Sequence, residues 1–169
     1  RAHCGAPLPP DNRNDMDIAK ILKPEAVRVL AGMTSKKRLF QDLGDMAASV
    51  YGLSPAVAVD GLLERESLGP TGVGHGIALP HARLEGLEQI VGVFVRLEKP
   101  MDFDSVDRQP VDLIFTLFAP KDSGVEHLKA LALISRTMRD PGVCAKLRAN
   151  GQSGTLYAIL TEARPKAAA

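Results

Sequence analysis

The spacing of apolar residues near the start of the chain predicts a short strand followed by an amphipathic helix. The apolar run at residues 26–31 suits a strand, and Thr34 and Ser35 come next, in positions that cap a helix. The helix that follows carries its apolar residues along one stripe, as a helix packed on a core does: Leu39, Phe40, Leu43, Met46, Ala47 and Val50.

A second helix and two buried strands are predicted further along. Ser54 and Pro55 supply an N-cap and a proline in the first helical position, and the helix is expected to continue until Gly69 ends it. The segments IVGVFVRL at 90–97 and VDLIFTLF at 111–118 are apolar at nearly every position and rich in β-branched and aromatic residues. Such runs are typical of strands buried on both faces of a sheet, so we expect helices to cover them.

Three more helices are predicted in the last third of the chain. One occupies residues 124–138, the next starts at Asp140 and Pro141, and the last follows Ser153. Helices therefore cluster at the two ends of the sequence around central strands, which predicts a mixed α/β domain. The first of these three helices has an apolar stripe that is expected to face the core: Val125, Leu128, Leu131, Ile134 and Met138.

The two ends of the chain lack this patterning. Residues 1–15 contain three prolines and no hydrophobic periodicity, so we expect a disordered extension or an expression remnant, and His3 and Cys4 fall within it. Residues 164–169 are expected to form a flexible tail. The folded domain is therefore predicted to span residues 16–163.

Composition excludes several classes of function. The net charge of the 169 residues is +1 and the basic residues are scattered, so a nucleic-acid partner is not expected. No segment approaches the roughly 20 apolar residues that cross a bilayer, and no secretory leader is recognisable, so we expect a cytoplasmic protein. Cys4 and Cys144 lie far apart without a metal-binding spacing, which suits a reducing compartment.

The segment GVGHGIALPHARLEG, residues 72–86, is the strongest candidate for chemistry. Its glycines allow close approach of another group to the main chain, and backbone amides near Gly74 and Gly76 are candidate donors to an anion. The glycines run into IALPH, without the lysine of a phosphate-binding loop or the flanking elements of a dinucleotide fingerprint. We therefore expect no nucleotide cofactor.

Pro80 makes His81 the candidate nucleophile of this segment. Proline fixes its own backbone and biases the preceding residue toward extended structure, so His81 is expected to leave the end of a strand in a rigid setting. An imidazole with a pKa of about 6.5 is mostly neutral in a cytoplasm and has one ring nitrogen free to attack. Two alternatives stay open: a surface histidine in a loop, and a metal site with His75, for which no cysteine or carboxylate completes a ligand set.

The segment from Glu64 to Asp122, with its glycine-rich run into LPH and the later QPVDLIF, resembles the enzyme IIA domains of the bacterial phosphoenolpyruvate-dependent phosphotransferase system, of the fructose-mannitol type. The segments TSKKRLFQDLGDMAA and HLKALALISRTMRD extend the similarity to residues 16–163. Within that family, SKKR and GVFVRLEKPMDFDSVDRQPVDL look like the nitrogen-regulatory branch.

The resemblance implies a fold and a set of site residues. The fold is a mixed, mostly parallel β-sheet sandwiched between α-helices, with the active histidine at the edge of a shallow crevice. The phosphorylated histidine of the family matches His81. The arginine of its L-x-R-E pattern matches Arg65, which is suited to bind phosphoryl oxygens. Its second active-site histidine matches His127, to which we assign an assisting role.

The resemblance also implies a function, with partners but without a cofactor or metal. A phosphorylated HPr-like carrier, the NPr of the nitrogen branch, is expected to transfer its phosphoryl group to His81. The protein is expected to be a monomer that regulates targets such as kinases or potassium transport systems through its phosphorylation state. Three alternatives remain: a sugar-specific enzyme IIA that passes phosphate to a IIB domain, a binding module without phosphotransfer, and a metal-dependent hydrolase built on His75, His81 and His127.

Overall fold

A computed structural model describes residues 16–163 of the chain. The expectations for residues 1–15, including His3 and Cys4, and for residues 164–169 lie outside the described residues. Across residues 16–163, no helix is long and apolar enough to cross a membrane.

Six helices and six strands make up the described part of the chain. The strands are β1 (Leu22–Leu30), β2 (Gly72–Gly74), β3 (Ile77–Ala78), β4 (His81–Leu84), β5 (Val91–Met101) and β6 (Val111–Pro120). The helices are α1 (Ile18–Ile21), α2 (Lys36–Tyr51), α3 (Pro55–Ser67), α4 (Gly124–Arg139), α5 (Pro141–Ala149) and α6 (Ser153–Glu162).

The six strands form one mixed sheet in the order β1-β5-β6-β3-β2, and β4 pairs with β6 beyond the end of β3. Three of the five pairings are parallel: β1 with β5, and both β3 and β4 with β6. The pairs β2–β3 and β5–β6 are antiparallel. This sheet, flanked by helices, confirms the fold that the sequence predicted.

The central strands and the first long helix form for the reasons that the pattern indicated. Most residues of β5 and β6 are buried, as expected for strands covered on both faces. The side chain of Ser35 accepts a hydrogen bond from the amide of Arg38 and so caps α2, and the apolar stripe of α2 is buried from Leu39 to Ala47. The α2 and α3 helices pack against each other, and α3 also packs on β4.

One predicted core face is wrong at its beginning. Val125 and Leu128 are 65% and 61% exposed, although they lie on the stripe expected to face the core. The first turns of α4 instead bury His127 and Ala130, and the predicted stripe joins the core from Leu131 onward. Helical spacing alone cannot distinguish these two faces, because both offer apolar residues at three- and four-residue intervals.

Candidate active site

His81 lies at an interruption in the sheet. β3 ends at Ala78, Leu79 and Pro80 follow, and His81 is the first residue of β4, so it begins a strand instead of leaving one. Both strands pair with β6 in the same direction. The carbonyl of Pro80 accepts the amide of Leu117 at 3.0 Å, so the interruption is itself anchored to β6. Because proline has no amide proton and a fixed φ, this joint presents the half-buried His81 ring in one direction.

Hydrogen bonds define the tautomer of His81. Its Nδ1 lies 3.0 Å from the carbonyl oxygen of Leu79. Since a carbonyl oxygen only accepts, Nδ1 must carry the proton, and the lone pair is then on Nε2. Nε2 accepts a hydrogen bond from Nε of Arg65 at 3.3 Å. The nitrogen with the lone pair is therefore the one that faces the guanidinium.

The pKa of His81 is lowered from its ordinary value of 6.5. Burial of the ring is the largest cause, because it disfavours the charged form, and the nearby charge of Arg65 acts in the same direction. The hydrogen bond to Leu79 raises the pKa but does not cancel these effects. His81 is therefore neutral at physiological pH, with Nε2 available as a nucleophile.

Arg65 reaches His81 because α3 lies unusually close to β4. A Cβ added to Gly61, one turn before Arg65, would lie 3.0 Å from the Cβ of Ala82, which is tighter than ordinary van der Waals contact, so glycine favours this approach. At the end of α3, Nη1 of Arg65 donates to the carbonyl of Gly69 at 2.9 Å. This bond fixes one edge of the guanidinium, and Nε and Nη2 remain on the other edge.

His127 completes the group from α4. Its side chain is almost fully buried, and its ring centroid lies 5.6 Å from that of His81, with the two planes inclined at 47°. Its Nδ1 is buried without a hydrogen-bond partner. Burial lowers the pKa of His127, and the charges of His81 and Arg83 lower it further. The second imidazole is thus also neutral and has an unused polar atom.

The structure therefore brings Arg65, His81 and His127 together and leaves His75 elsewhere. His75 lies in the turn between β2 and β3, where its amide donates to the Asp107 carboxylate at 2.9 Å. The carbonyl of the next residue, Gly76, accepts from Leu113 of β6, whereas His81 pairs with Leu117. These two positions on β6 are four residues apart, or about 13 Å, so His75 and His81 are separated by about that distance along the strand.

That separation argues against two predictions for the glycine-rich segment: anion binding by the amides near Gly74 and Gly76 at His81, and a metal site shared by His75 and His81. A Cβ at Gly74 or Gly76 would meet Asp107 or Arg148, so these glycines serve the packing of the β2–β3 turn and do not surround His81. Within residues 16–163 there is no group of three or more histidine, cysteine, aspartate or glutamate side chains that could hold a metal ion.

Arg83 was missed as a site residue by the sequence analysis. It lies two residues after His81 on β4, so both side chains are on the same face of the strand, and Arg83 is exposed. Its charge lowers the pKa values of His81 and His127. The alternation of side chains along a strand would have indicated it, had His81 been placed at the start of β4.

Three exposed apolar side chains lie close in sequence to residues of this group and form its apolar rim. Leu68, next to the Gly69 carbonyl that holds Arg65, is 81% exposed, and Val125 and Leu128 flank His127 in the sequence. A neutral nucleophilic nitrogen, a guanidinium and an exposed arginine suit an incoming dianion, and the apolar rim suits a protein that delivers it.

Comparisons with known proteins show which family the chain resembles. The model of the family described as "Phosphoenolpyruvate-dependent sugar phosphotransferase system, EIIA 2" matches residues 20–163. Over 145 residues the chain is 45% identical to the nitrogen regulatory protein of Bradyrhizobium diazoefficiens, which covers 86% of this chain and 95% of that protein. It is 31% identical over 147 residues to the fructose-specific EIIA component of Haloferax volcanii, covering 86% and 96% of the two chains.

A solved structure extends the similarity to three dimensions. The crystal structure of the nitrogen regulatory protein IIA-Ntr from Neisseria meningitidis matches with a TM-score of 0.77 and 36% sequence identity. The match covers 84% of this chain and 97% of that one. Sequence and fold similarity therefore span nearly all of the described residues.

Proposed function

The chain belongs to the EIIA 2 family of the phosphoenolpyruvate-dependent sugar phosphotransferase system, and from this premise we propose that it is a histidine phosphocarrier whose acceptor atom is Nε2 of His81. The membership confirms the family that the sequence motifs indicated. The observation that carries the proposal is the tautomer of His81: the bond from Nδ1 to the Leu79 carbonyl leaves the lone pair on Nε2, beside Arg65.

In this proposal the phosphoryl group passes from a phosphorylated histidine of an HPr-like carrier to Nε2 of His81. The bond from phosphorus to the carrier nitrogen breaks as the bond to Nε2 forms. The carrier ring, protonated on its second nitrogen, leaves as neutral imidazole, and the His81 ring, which keeps its Nδ1 proton, becomes positively charged. The Leu79 carbonyl stabilises that charge, because a hydrogen bond from a charged donor is stronger than one from a neutral donor.

Arg65 supplies charge stabilisation in this step. Phosphoryl transfer depends on positioning and on donors to the peripheral oxygens more than on covalent chemistry by the protein. Nε of Arg65 donates to the Nε2 lone pair in the resting site, and an arriving phosphoryl oxygen is a more strongly charged acceptor for it. The N–H at Nε of Arg65 thus donates to Nε2 of His81 before the reaction and to a phosphoryl oxygen during it.

His127, on α4, assists the transfer to His81. Because its buried Nδ1 has no partner in the described residues, it can meet a phosphoryl oxygen or an ordered water without breaking an existing bond. A neutral ring suits this role, since it offers a hydrogen bond without adding a proton to the reaction.

The regulatory role is part of the proposal. The identity to the nitrogen regulatory protein is 45%, against 31% for the fructose-specific component, which favours regulation over sugar transport. A phosphoryl group on His81 adds a dianion to a surface that otherwise carries Arg65, Arg83 and apolar side chains, and so changes which proteins dock there. The targets in this reading are kinases or potassium transport systems, and the donor is the NPr of the nitrogen branch.

The test is intact-protein mass spectrometry after incubation with phosphoenolpyruvate, enzyme I and NPr. We expect one acid-labile phosphoryl group on the wild type and none on His81→Ala. The matched control is His75→Ala, which replaces the other histidine of the same segment and should be phosphorylated like the wild type.

The alternatives predict different results. A wild type that stays unlabelled beside phosphorylated NPr would contradict the proposal and favour a binding module. Faster transfer from His81 to a sugar-specific IIB domain than acceptance from NPr would indicate a transport role instead.

A further inference from the structure

Glu66 lies next to Arg65 on α3, and its side chain is 9% exposed, in contrast to a residue on a solvated helix face. One oxygen accepts the amide of Thr71 at 3.1 Å and the other accepts the Thr71 hydroxyl at 2.6 Å. Thr71 is itself buried, at 4% exposure. A single carboxylate therefore holds the buried Thr71 by both its main chain and its side chain.

Thr71 is connected to the tautomer of His81 by two further hydrogen bonds. Its carbonyl accepts the amide of Leu79 at 3.0 Å. The carbonyl of Leu79 is the acceptor for Nδ1 of His81. The position of Thr71 thus fixes the residue that decides which ring nitrogen of His81 carries the proton.

Thr71 is also connected to Arg65 through the short linker Gly69–Thr71. The carbonyl of Gly69 holds Nη1 of Arg65, and Pro70 is the only residue between Gly69 and Thr71. Since proline restricts the backbone of this linker, fixing Thr71 restricts the Gly69 carbonyl too. The bonds on both sides of the His81 ring therefore lead back to the Glu66 carboxylate.

Lys36 holds Glu66 from the first turn of α2. Its ammonium lies 2.8 Å from Glu66, 3.5 Å from Asp104 and 4.7 Å from the centre of the Phe103 ring. The Phe103 ring is fully buried. This ion pair compensates the buried carboxylate and joins α2 to the end of α3.

We propose that Glu66 is a positioning residue, which through Thr71 holds the Leu79 carbonyl and the Gly69 carbonyl and so keeps His81 and Arg65 aligned for phosphoryl transfer. The inference rests on the proposed function for its catalytic consequence. Its structural content, one tautomer of His81 held by Glu66, does not require that the protein accept phosphate.

Two variants with different chemistry test this role. Glu66→Gln removes the charge and replaces one acceptor oxygen by an amide NH2 donor, whereas Thr71→Val removes the hydroxyl and changes no charge. The first measurement is the ¹⁵N spectrum of the His81 ring, assigned by its loss in His81→Ala. We expect one tautomer with Nδ1 protonated in the wild type, and a mixture of both tautomers in each variant.

The second measurement is the single-turnover rate of transfer from phosphorylated NPr. We expect about a hundredfold loss for Glu66→Gln and about tenfold for Thr71→Val, since a misplacement of about 1 Å costs on the order of a hundredfold. Thr71→Ser, which keeps the hydroxyl, should restore the wild-type tautomer and rate.

The control is Asp112→Asn, which breaks the charged bonds to Arg148 at the far end of the sheet. It should lower the midpoint of thermal unfolding without changing the tautomer or the rate. A wild-type tautomer in both Glu66→Gln and Thr71→Val would overturn the inference, even if their stability fell. If the wild type accepts no phosphate while the tautomer still changes in both variants, the proposed function fails and the positioning role stands.

Discussion

At the scale of single residues, the proposed chemistry depends on two imidazoles that stay neutral. His81 and His127 both have lowered pKa values, and burial is the first cause in each case. A neutral His81 keeps its Nε2 lone pair, and a neutral His127 does not repel its neighbour. The burial that keeps the proposed nucleophile neutral therefore also makes the stability of the fold sensitive to acid.

We expect this sensitivity to appear in the free energy of unfolding. In the unfolded chain each histidine has its ordinary pKa of about 6.5, whereas the folded pKa lies lower, so below that value the unfolded state binds more protons. Stability is then fully present above pH 6.5 and is lost as the pH falls from there through the folded pKa. In His127→Gln the loss of stability between pH 7.5 and pH 5 should be smaller than in the wild type, because the variant lacks a group whose pKa is lowered on folding.

Urea unfolding of the wild type and His127→Gln at both pH values checks this. Carboxylates also titrate near pH 5, so only the difference between the two proteins bears on His127. Equal losses in the two proteins would show that the His127 pKa is not lowered on folding.

The sequence indicates His81 as the candidate nucleophile, but it does not indicate the residues that support it. Proline before histidine in a glycine-rich segment is a local signal with a local physical meaning. Glu66 carries no such signal, because a carboxylate beside an arginine on a helix is usually solvated, and its burial results from contacts with Lys36 and Thr71 that are distant in sequence.

At the scale of elements, the contact between α3 and β4 sets the distance from Arg65 to His81. Gly61 has Ala82 and Leu84 of β4 at 3.0 Å from the position of a Cβ. The Cδ2 of Leu84 can move because it ends a flexible side chain, but the Cβ of Ala82 is fixed to the backbone of β4, which is paired with β6. An added methyl group must therefore move α3 away from the sheet.

We expect Gly61→Ala to destabilise the protein by about 1–2 kcal/mol, in the range of overpacked cores. It should also slow phosphoryl transfer to His81 several-fold, because Arg65 moves with α3. Thermal unfolding and single-turnover transfer measure the two effects. Gly154→Ala, also within a helix but with open space around its Cβ, should leave the rate unchanged.

A result in which Gly61→Ala unfolds at a lower temperature but transfers at the wild-type rate would contradict the link between this packing contact and the site.

Most element positions themselves could be predicted, because Ser35, Ser54 and Pro141 mark helix starts by local hydrogen bonding or a fixed φ. The orientation of α4 could not, since its exposed and buried faces both carry apolar residues.

At the scale of the whole molecule, the site is assembled by strand order. β4 pairs with β6, α4 follows β6, and α3 packs on β4, so three segments far apart in sequence meet at one place. Nothing local specifies that β3 and β4 both lie along β6, because parallel pairing depends on long connections. The mixed α/β class could thus be inferred from patterning, whereas the strand order could not.

Two of the segments that meet there also carry the exposed apolar rim, and we expect the phosphate donor to bind to it. Leu128 is exposed and follows the almost fully buried His127, whose ring lies 5.6 Å from that of His81, so we expect a protein that docks at His81 to contact it. Leu128→Gln keeps helix propensity and adds no charge, so the histidines should retain their protonation states. We expect the KM for phosphorylated NPr to rise about tenfold, equivalent to 1.4 kcal/mol of contact energy, with kcat unchanged.

Val57→Gln is the matched control for this prediction. Val57 is 48% exposed on α3, eight residues before Arg65, which is about 12 Å along a helix. Its replacement should leave both kinetic constants at their wild-type values. If Leu128→Gln lowered kcat and left KM unchanged, Leu128 would act on the chemistry of the site instead of on docking. If both variants raised KM equally, the apolar rim around His127 would not be the docking surface.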